Sequence, residues 1–396
     1  MSFKPTTDSF IRRPINTADP GRVYDNVRAE GDILWSSSMR IWLVLSKSAA
    51  TEALRNRDLH TFNLSNLYNR LARQTEYQLE ALAHLATFLP IVQEGERHKK
   101  LRSLFGRFLA DNQDAYLSAY AQSSRELLDT LKENGGGDFA TEYADRIHSD
   151  AIGRICDIAP ERRAWMAQKT FAEGILGVDM HLSSVQNATI RVRELFSHYD
   201  EVLRSSAEND ILANMGQHFE AAGMPADHDS KASFLTALTV LGGDTTAGTL
   251  SLGLGRLLDA FEGRISAQQW PDQKNLVEEF LRLSAAIQTV YRVANKPTMI
   301  ADQNIAKGET VLINLSAANR DPTAYECPHQ FNENHQAGIQ FGTGRHFCSG
   351  MTLTRKAVAI SLEHLSEFSE IVAREGRSFS EDRIATKYSK FPITLE

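Results

Sequence analysis

A single cysteine near the carboxyl end of the chain has the clearest chemical potential. The string Phe341-Gly-Thr-Gly-Arg-His-Phe-Cys348-Ser-Gly350 places Cys348 in a glycine-punctuated loop, and a helix-like run, Leu353 to Phe368, follows it. Glycines let the backbone adopt positive φ and approach a flat ligand closely. Because a helix N-terminus stabilises negative charge and lowers the pKa of a thiol, this arrangement suits a thiolate that holds a metal. The alternative is a small buried cysteine before a helix.

A long apolar segment in the middle of the chain holds the second candidate. Between Phe234 and Leu258, only Asp244 and Arg256 carry charge. The segment is long enough to cross a bilayer, but a helix that is apolar on all sides is equally suited to the centre of a large folded protein. Because the segment also contains a central acid and many threonines and glycines, we expect a buried helix from about Lys231 to Phe261.

Within that segment, Gly242-Gly-Asp-Thr-Thr246 places an acid beside hydroxyl groups. Adjacent glycines weaken a helix locally, so we expect an interruption here, with space beside it. Asp244 and Thr245 could then pass a proton into a dry pocket. The alternative is a helix packed closely against a neighbour, with Asp244 satisfied by a partner.

Two other pairs have the spacing of a single helical face. His98 and Arg102 lie four residues apart around the basic Lys99-Lys100, and Glu279 and Arg282 lie three residues apart. Side chains at these spacings are neighbours on a helix. Each pair alone is as well explained by a solvated, charged surface.

Taken together and in this order, the motifs resemble those of the cytochrome P450 family. The loop that ends at Gly350 has the family's phenylalanine, glycines, histidine and cysteine at every fixed position. The resemblance covers essentially the whole chain. It implies a haem b cofactor whose iron takes the Cys348 thiolate as its axial ligand, and electron donation from that thiolate favours O–O cleavage.

The same resemblance assigns roles to individual residues. It makes Asp244 and Thr245 the catalytic residues, which deliver protons during oxygen activation. It implies that charged side chains hold the haem propionates by charge-assisted hydrogen bonds, and that Glu279 and Arg282 form a structural ion pair beneath the haem. The cofactor-binding residues that it implies are His98, Arg102, Arg292, Phe341, Gly342, His346, Cys348 and Gly350.

Two positions depart from the family's pattern. Leu241 stands where alanine or glycine is usual, and it shares a helical face with Thr245, so we expect a bulky side chain beside the oxygen site. Gln330 stands where the family often has an arginine that completes the network of Glu279 and Arg282. That network is therefore expected to be reduced.

Composition limits the broad class of the protein. The chain has 396 residues, 42% of them hydrophobic and 23% charged, which is ordinary for a globular protein. A net charge of -7 does not favour nucleic-acid binding. Three widely spaced cysteines argue for a reducing compartment, and the polar N-terminus lacks the apolar core of a signal peptide. We expect a cytoplasmic monomer without a membrane anchor.

The predicted fold is mainly α (α+β), a single P450-like domain over residues 1–396. A large helical portion surrounds the long buried helix, and a small β portion covers about 30–47 and 287–316, with further strands near the C-terminus. Lys307-Gly308 is expected to turn between two of those strands. The predicted helices are 20–28, 48–55, 96–109, 115–132, 138–159, 162–176, 184–215 and 231–261.

The predicted function is that of a haem-thiolate monooxygenase in secondary metabolism, which uses O2 to hydroxylate or otherwise oxidise a mid-sized, largely apolar small molecule. Electrons would come from a separate ferredoxin-type redox partner and its reductase, because no flavin or iron–sulfur segment is evident. The alternatives are a peroxide-using or ring-coupling haem-thiolate enzyme and a non-catalytic haem or carrier-protein binding module. Asp244 and Thr245 argue against a peroxide user, which has less need of this relay.

The substrate pocket is expected by analogy with the family. A lid is expected around Leu176 to Asn187, between two long helices. The predicted pocket residues are Leu238, Leu241, Ala286, Ile287, Gln288 and Tyr388.

Overall fold

The computed structural model describes residues 7–12, 17, 20–169, 182–205, 209–332, 334–380 and 385–396. Helices dominate this part of the chain, as predicted. The first eight α-helices are α1 (Thr7–Arg12), α2 (Pro20–Arg28), α3 (Lys47–Arg55), α4 (Leu64–Gln74), α5 (Glu80–Ala86), α6 (Gly95–Asp111), α7 (Gln113–Glu133) and α8 (Asp145–Ile155). The remaining ones are α9 (Pro160–Ala167), α10 (Leu182–Ser205), α11 (Asp210–Ala221), α12 (His228–Ala260), α13 (Gln273–Leu283), α14 (Leu315–Ala318) and α15 (Met351–Ser366).

The strands form small sheets at the edges of the helical body. They are β1 (Ile33–Ser36), β2 (Ile41–Val44), β3 (Leu59–His60), β4 (Gly137–Asp138), β5 (Arg264–Ser266), β6 (Thr289–Ala294) and β7 (Thr298–Ile300), followed by β8 (Gln303–Ile305), β9 (Thr310–Asn314), β10 (Glu370–Ala373), β11 (Ser378–Phe379), β12 (Tyr388–Lys390) and β13 (Pro392–Leu395). One sheet has the order β1-β2-β9-β6-β3, and another has the order β4-β13-β10-β5. The pairs β7-β8 and β11-β12 stand as separate hairpins.

The predicted turn at Lys307-Gly308 is present, because the Glu309 N–H donates to the Ala306 carbonyl at 3.1 Å, but the two strands that it joins do not pair with each other. β7 pairs with β8 through a turn at Ala301 and Asp302, both of which have positive φ, whereas β9 pairs with β6 antiparallel and with β2 in parallel. Gly308 has a φ of 86° and only leads the chain from β8 to β9. Parallel pairing of strands so far apart in sequence leaves no local turn signature.

Two predicted helices are divided in the structure. The segment 138–159 begins with a π-helix, Phe139–Ala144, before α8 starts at Asp145. The segment 184–215 contains the end of α10 and the start of α11, where the Asn209 side chain accepts a hydrogen bond of 2.9 Å from the Leu212 N–H. Asparagine is a strong N-cap, and it defines a new helix start. The first part of the predicted lid, 176–181, lies outside the described residues.

α12 is the central buried helix, and it runs for 33 residues without the predicted interruption at Gly242. Its glycines instead admit neighbouring groups: a Cβ at Gly242 would overlap the His148 ring, and a Cβ at Gly253 would overlap the Phe280 ring. Close packing, rather than an opening, therefore accounts for these glycines. Over the residues that the structure describes, no helix combines the length and apolarity needed to cross a membrane.

Candidate active site

The loop around Cys348 is folded back on itself and placed at the start of α15. The Cys348 N–H donates to the Phe341 carbonyl at 2.9 Å. Gly342 and Gly344 have φ values of 66° and 74°, and a Cβ at Gly344 would lie 2.6 Å from the Leu54 carbonyl oxygen. The glycines are thus required both for the turn and for its close approach to α3.

Burial and the neighbouring groups shift the pKa of the Cys348 thiol in opposite directions. Burial raises the pKa of the thiol, while hydrogen bonds from the backbone N–H groups of Gly350 and Met351 and the positive charge of Arg102 act to lower it. A bound metal ion would take the place of the thiol proton, and the two N–H groups would then stabilise the thiolate.

Arg102 connects α6 to this loop. Its Nη1 donates to the Phe347 carbonyl at 2.5 Å and to Ser349 Oγ at 2.6 Å, and its guanidinium lies 4.1 Å from the centre of the Phe347 ring. α6 is itself fixed to the central helix, because the Phe105 and Phe108 rings pack edge-on against Phe234 of α12. One helix therefore joins the cysteine loop to the centre of the molecule.

His98 and His346 lie together beside the loop, with ring centres 4.4 Å apart. His98 Nε2 and His346 Nδ1 are buried and find no hydrogen-bond partner among the described residues. Burial, reinforced by His346 and Arg102, lowers the pKa of His98 to about 4. Burial likewise lowers the pKa of His346, although its hydrogen bond to Glu94 opposes that effect.

Glu94 is a member of this cluster that sequence reasoning missed. Its carboxylate lies 3.2 Å from His346 Nε2 and 3.2 Å from Arg345 Nε, and it accepts a hydrogen bond of 2.8 Å from the Thr61 N–H. Burial alone would raise the pKa of Glu94, but the hydrogen bonds from His346 and Thr61 and the charge of Arg345 lower it to about 2. Glu94 precedes His98 by four residues, the spacing of one helical turn, which is the only signal that pointed to it.

Arg292 brings a further cation to the same region from β6. It is 7% exposed, and its Nη1 donates to the neighbouring Tyr291 carbonyl at 2.7 Å. Burial lowers the pKa of Arg292 to about 10, while Glu94 opposes the shift. Basic groups outnumber the single carboxylate, Glu94, in this cluster, and two imidazole nitrogens remain unsatisfied. The cluster therefore fits a ligand with carboxylates, such as the two propionates of haem.

The predicted ion pair of Glu279 and Arg282 is fully buried, and it has a third member. Arg282 Nε and Nη2 donate to the two Glu279 carboxylate oxygens at 2.6 Å and 2.7 Å. His335 Nδ1 lies 3.0 Å from both Glu279 Oε1 and Arg282 Nη2. Arg282 also donates to the carbonyls of Asn319 and Pro328. The expectation of a reduced network was wrong, because the His335 side chain joins it and the Gln330 backbone carbonyl accepts a further hydrogen bond of 3.3 Å from Arg282 Nη2.

Asp244 is held by partners on the buried side of α12. Lys387 Nζ donates to Asp244 Oδ1 at 3.2 Å and to Asp145 Oδ1 at 2.7 Å. The Thr245 hydroxyl donates to the Leu241 carbonyl at 2.8 Å. The structure thus favours the alternative in which the helix is closely packed and Asp244 is paired. Lys387 and Asp145 were not singled out in the sequence.

The residues predicted for the pocket separate into distinct places. Leu241 and Thr245 remain half-buried on one face of α12, as does Thr249 one turn later. Leu238 and Ala286 are buried, and Ile287 forms a bridge to Ala385.

Two other residues predicted for the pocket have different surroundings. Gln288 lines a small separate cavity together with Arg256 and Arg320. Tyr388 packs against Gly255 and stacks on Phe379 with ring centres 4.4 Å apart. Gly255 lies eleven residues beyond Asp244, or roughly 16 Å along the helix at its usual rise. Tyr388 is therefore part of the core, about three helical turns from Asp244.

The fold and the loop define a mainly helical protein with a cysteine loop at a helix N-terminus opposite a charged cluster. A family model described as Cytochrome P450 matches residues 268–381. A Mycobacterium tuberculosis protein named cytochrome P450 140 is 27% identical, over 98% of this chain and 91% of its own. A Bacillus subtilis relative named biotin biosynthesis cytochrome P450 is 25% identical, over 74% of this chain and 75% of its own.

A solved structure shows the same fold. The crystal structure of P450BioI in complex with an acyl carrier protein ligated to hexadec-9Z-enoic acid has a TM-score of 0.79 and 20% identity, and it covers 95% of this chain and 98% of that one. These comparisons show that the chain has the cytochrome P450 fold and that its sequence is similar to proteins named cytochrome P450. Members of that family carry a thiolate-ligated haem.

Proposed function

We propose that this protein is a monooxygenase that binds haem b through Cys348 and oxidises a mid-sized, largely apolar small molecule with electrons from a separate ferredoxin-type protein and its reductase. The observation that carries the proposal is the position of Cys348, which lies in a folded loop directly before α15 and is held there by the hydrogen bond from its N–H to the Phe341 carbonyl. When bound, the haem supplies the iron that activates dioxygen. All other contributions come from the side chains around it.

The charged cluster is proposed to hold the haem propionates. His98 Nε2 and His346 Nδ1 are the buried nitrogens without a partner, and Arg102 and Arg292 add fixed positive charge near them. A pair of carboxylates would satisfy these groups with charge-assisted hydrogen bonds, each stronger than a neutral one. Glu94 already neutralises part of the charge, which keeps Arg345 and His346 in place before the ligand binds.

Asp244 and Thr245 are the residues of α12 that are proposed to hold and move protons during the reaction. The Thr245 hydroxyl donates to the Leu241 carbonyl, so its oxygen can still accept a hydrogen bond from a group in the pocket. Asp244 is 4% exposed, so its contacts operate at low dielectric, where a positioned acid is effective. Leu241 shares the half-buried face with Thr245, and it narrows the space available to the substrate.

The substrate class can be tested with a defined panel. The relative named for biotin biosynthesis and the solved complex with hexadec-9Z-enoic acid on acyl carrier protein justify free and carrier-bound fatty acids as members, beside steroids and polyketides. Binding is measured from the Soret shift of the holoenzyme. For each compound that binds, turnover under isotopically labelled dioxygen is expected to place one labelled oxygen atom in the product. Unlabelled oxidised product would indicate desaturation or coupling, and turnover with peroxide alone would indicate a peroxide-using enzyme.

The electron donor is proposed to approach the surface next to the cysteine. Phe347 is 41% exposed there, directly before Cys348, and Arg102 covers its ring. Lys99, on the same turn of α6, is exposed and pairs with Glu96 at 2.5 Å. Exposed cations raise the association rate with an acidic protein.

Charge reversal tests this docking surface. Lys99→Glu combined with Lys100→Glu is expected to slow reduction by an acidic ferredoxin roughly tenfold at low salt, and less at high salt. Lys307→Glu, on the exposed segment between β8 and β9, serves as the control. Equal reduction rates for both variants at low salt would rule out this surface.

A further inference from the structure

The segment that carries Lys387 lies directly along the central helix. The Thr386 N–H donates to the Ala286 carbonyl at 2.8 Å, and the Tyr388 N–H donates to Ser251 Oγ at 3.4 Å. Small residues on α12 make this approach possible: a Cβ at Gly248 would lie 2.6 Å from the Thr386 carbonyl oxygen, and a Cβ at Gly255 would lie 2.8 Å from the Tyr388 ring. The segment is thereby fixed on both sides of Lys387.

The residues of α12 that contact this segment lie on the same helical face as Asp244. Asp244, Gly248, Ser251 and Gly255 follow one another at intervals of four, three and four residues, so they share one face of the helix. Since the backbone of 386–388 lies over Gly248 and Ser251, the Lys387 side chain has a short path to the acid one turn earlier. Its Nζ donates to Asp244 Oδ1 at 3.2 Å.

Asp145 is the second carboxylate at Lys387, and an unusual element positions it. The π-helix Phe139–Ala144 runs directly into α8, whose first residue is Asp145. Asp138 accepts a hydrogen bond of 3.0 Å from the Ala140 N–H at the start of that π-helix. Asp145 Oδ1 then accepts a hydrogen bond of 2.7 Å from Lys387 Nζ. π-Helical turns often occur at functional sites.

The three side chains form a path from the surface to the buried acid. The exposed fraction of the side chain is 24% for Asp145, 19% for Lys387 and 5% for Asp244. Burial alone would lower the pKa of Lys387, but the charges of Asp244 and Asp145 raise it above its ordinary value. Burial raises the pKa of Asp145, and Lys387 opposes that shift. Among the residues that the structure describes, the other groups at this place include Asp138, which acts on Asp145, and His148, which packs on Gly242.

We propose that Lys387 and Asp145 are positioning residues for Asp244, which hold its negative charge and connect it to solvent. The inference rests on the proposed role of Asp244 in proton delivery. Lys387 donates a hydrogen bond to the Asp244 carboxylate, and Asp145 competes with Asp244 for the same ammonium group. Proton exchange between Asp244 and solvent runs through this triad. Removing the ammonium group and removing the competing carboxylate therefore have opposite effects on Asp244.

The test uses the holoenzyme with a surrogate ferredoxin, its reductase and NADPH, without added substrate. The rate of NADPH-dependent dioxygen consumption and its solvent deuterium isotope effect are measured across the neutral pH range. Lys387→Met is expected to lower the rate at least about tenfold, to enlarge the isotope effect and to move the pH profile upward. Asp145→Asn is expected to move the pH profile to lower pH, because the Lys387 ammonium group then no longer interacts with Asp145 as well as with Asp244. Lys387→Arg is expected to keep the wild-type profile.

A second readout does not depend on activity. In protein with carboxyl-labelled aspartate, infrared titration is expected to show a protonated carboxylic acid band that persists to higher pH in Lys387→Met than in wild type. The same band is absent when Asp244→Asn is added to that variant. Lys390→Met, at an exposed lysine on β12 three residues after Lys387, is the matched control and is expected to match wild type in both measurements.

The outcomes separate this inference from the function on which it rests. A wild-type holoenzyme that consumes no dioxygen with NADPH overturns the proposed function. An active wild type whose profile and isotope effect are the same in Lys387→Met, Asp145→Asn and Lys390→Met overturns the inference. If Lys387→Met does not fold, the downward shift of Asp145→Asn is read against Lys387→Arg, which is expected to keep the wild-type profile, and coincident profiles in these two variants also overturn the inference.

Discussion

At the scale of the residue, the imidazoles beside the cysteine loop are held neutral by their surroundings. The pKa of His98 falls to about 4 through burial and nearby positive charge. One nitrogen on each of His98 and His346 has no partner among the described residues. Buried polar atoms without partners are costly, so the cluster is complete only when an anionic group occupies it.

The pH dependence of stability tests that description in haem-free protein. The free energy of unfolding is expected to fall as pH is lowered from about 6.5, the unfolded value of histidine, toward about 4, the folded value of His98. The unfolded chain binds a proton in this interval that the folded chain resists, so acid favours unfolding. Glu94 contributes at lower pH, because its stabilisation is present above about 4.5 and is lost as pH falls toward about 2.

Urea unfolding at a series of pH values measures this dependence. His98→Gln should flatten the slope between about 6.5 and 4, whereas His228→Gln, a surface histidine that pairs with Asp200, should leave it unchanged. Bound haem should also flatten it, since the propionates favour the protonated imidazole. An unaltered slope in His98→Gln would contradict the assignment of His98.

At the scale of the element, α12 carries its glycines where neighbouring groups must come close. His148 occupies the place of a side chain at Gly242, and it is itself satisfied: Tyr116 Oη lies 2.9 Å from its Nδ1, and the Leu238 carbonyl lies 3.2 Å from its Nε2. Burial lowers the pKa of His148 to about 4, so the neutral ring fits these two contacts. The motif at Gly242 is therefore a packing site on one face and a candidate catalytic site on another.

Gly242→Ala tests this packing. Alanine favours a helix over glycine by about 1 kcal/mol, yet the variant is expected to lose roughly 1–3 kcal/mol of unfolding free energy because its Cβ overlaps the His148 ring. In a His148→Ala background, the same substitution should be neutral or stabilising. A double-mutant cycle from chemical denaturation gives the coupling, and additive effects would show that the two positions do not meet.

The loop before the cysteine depends on the buried group of Glu279, Arg282 and His335. His335→Ala should cost roughly 1–3 kcal/mol in unfolding free energy, because it leaves buried charged atoms short of a partner. His329→Ala removes only a half-exposed pair with Asp25 and should cost less than about 1 kcal/mol. Urea denaturation compares the two variants, and equal losses would remove His335 from the network.

At the scale of the whole molecule, the sequence predicted contacts that are local and missed those that are distant. Most helices were predictable from periodicity, although two of them are divided in the structure, and the cysteine loop was predictable because its ten positions are contiguous. The ammonium of Lys387 and the carboxylate of Asp244 are separated by 143 positions, and His335 lies 56 positions from Glu279. Such contacts are determined by packing of the complete chain, and neither pair has a sequence spacing that would indicate it.

The same limit applies to the predicted pocket residues. The sequence identifies the segments that carry Gln288 and Tyr388, but the direction of each side chain depends on how the C-terminal strands lie on α12. A glycine in a buried helix has two explanations, a break or a close neighbour, and only the position of His148 distinguishes them.

The most direct test of the central claim is the carbon monoxide spectrum of the reduced holoenzyme. Wild type is expected to show the red-shifted Soret band of a thiolate-ligated haem, and Cys348→His should retain haem but lose that band. Cys327→Ser, at an exposed cysteine, should retain it. A haem-loaded wild type without the band, or a Cys348→His variant that keeps it, would contradict the assignment of Cys348 as the ligand.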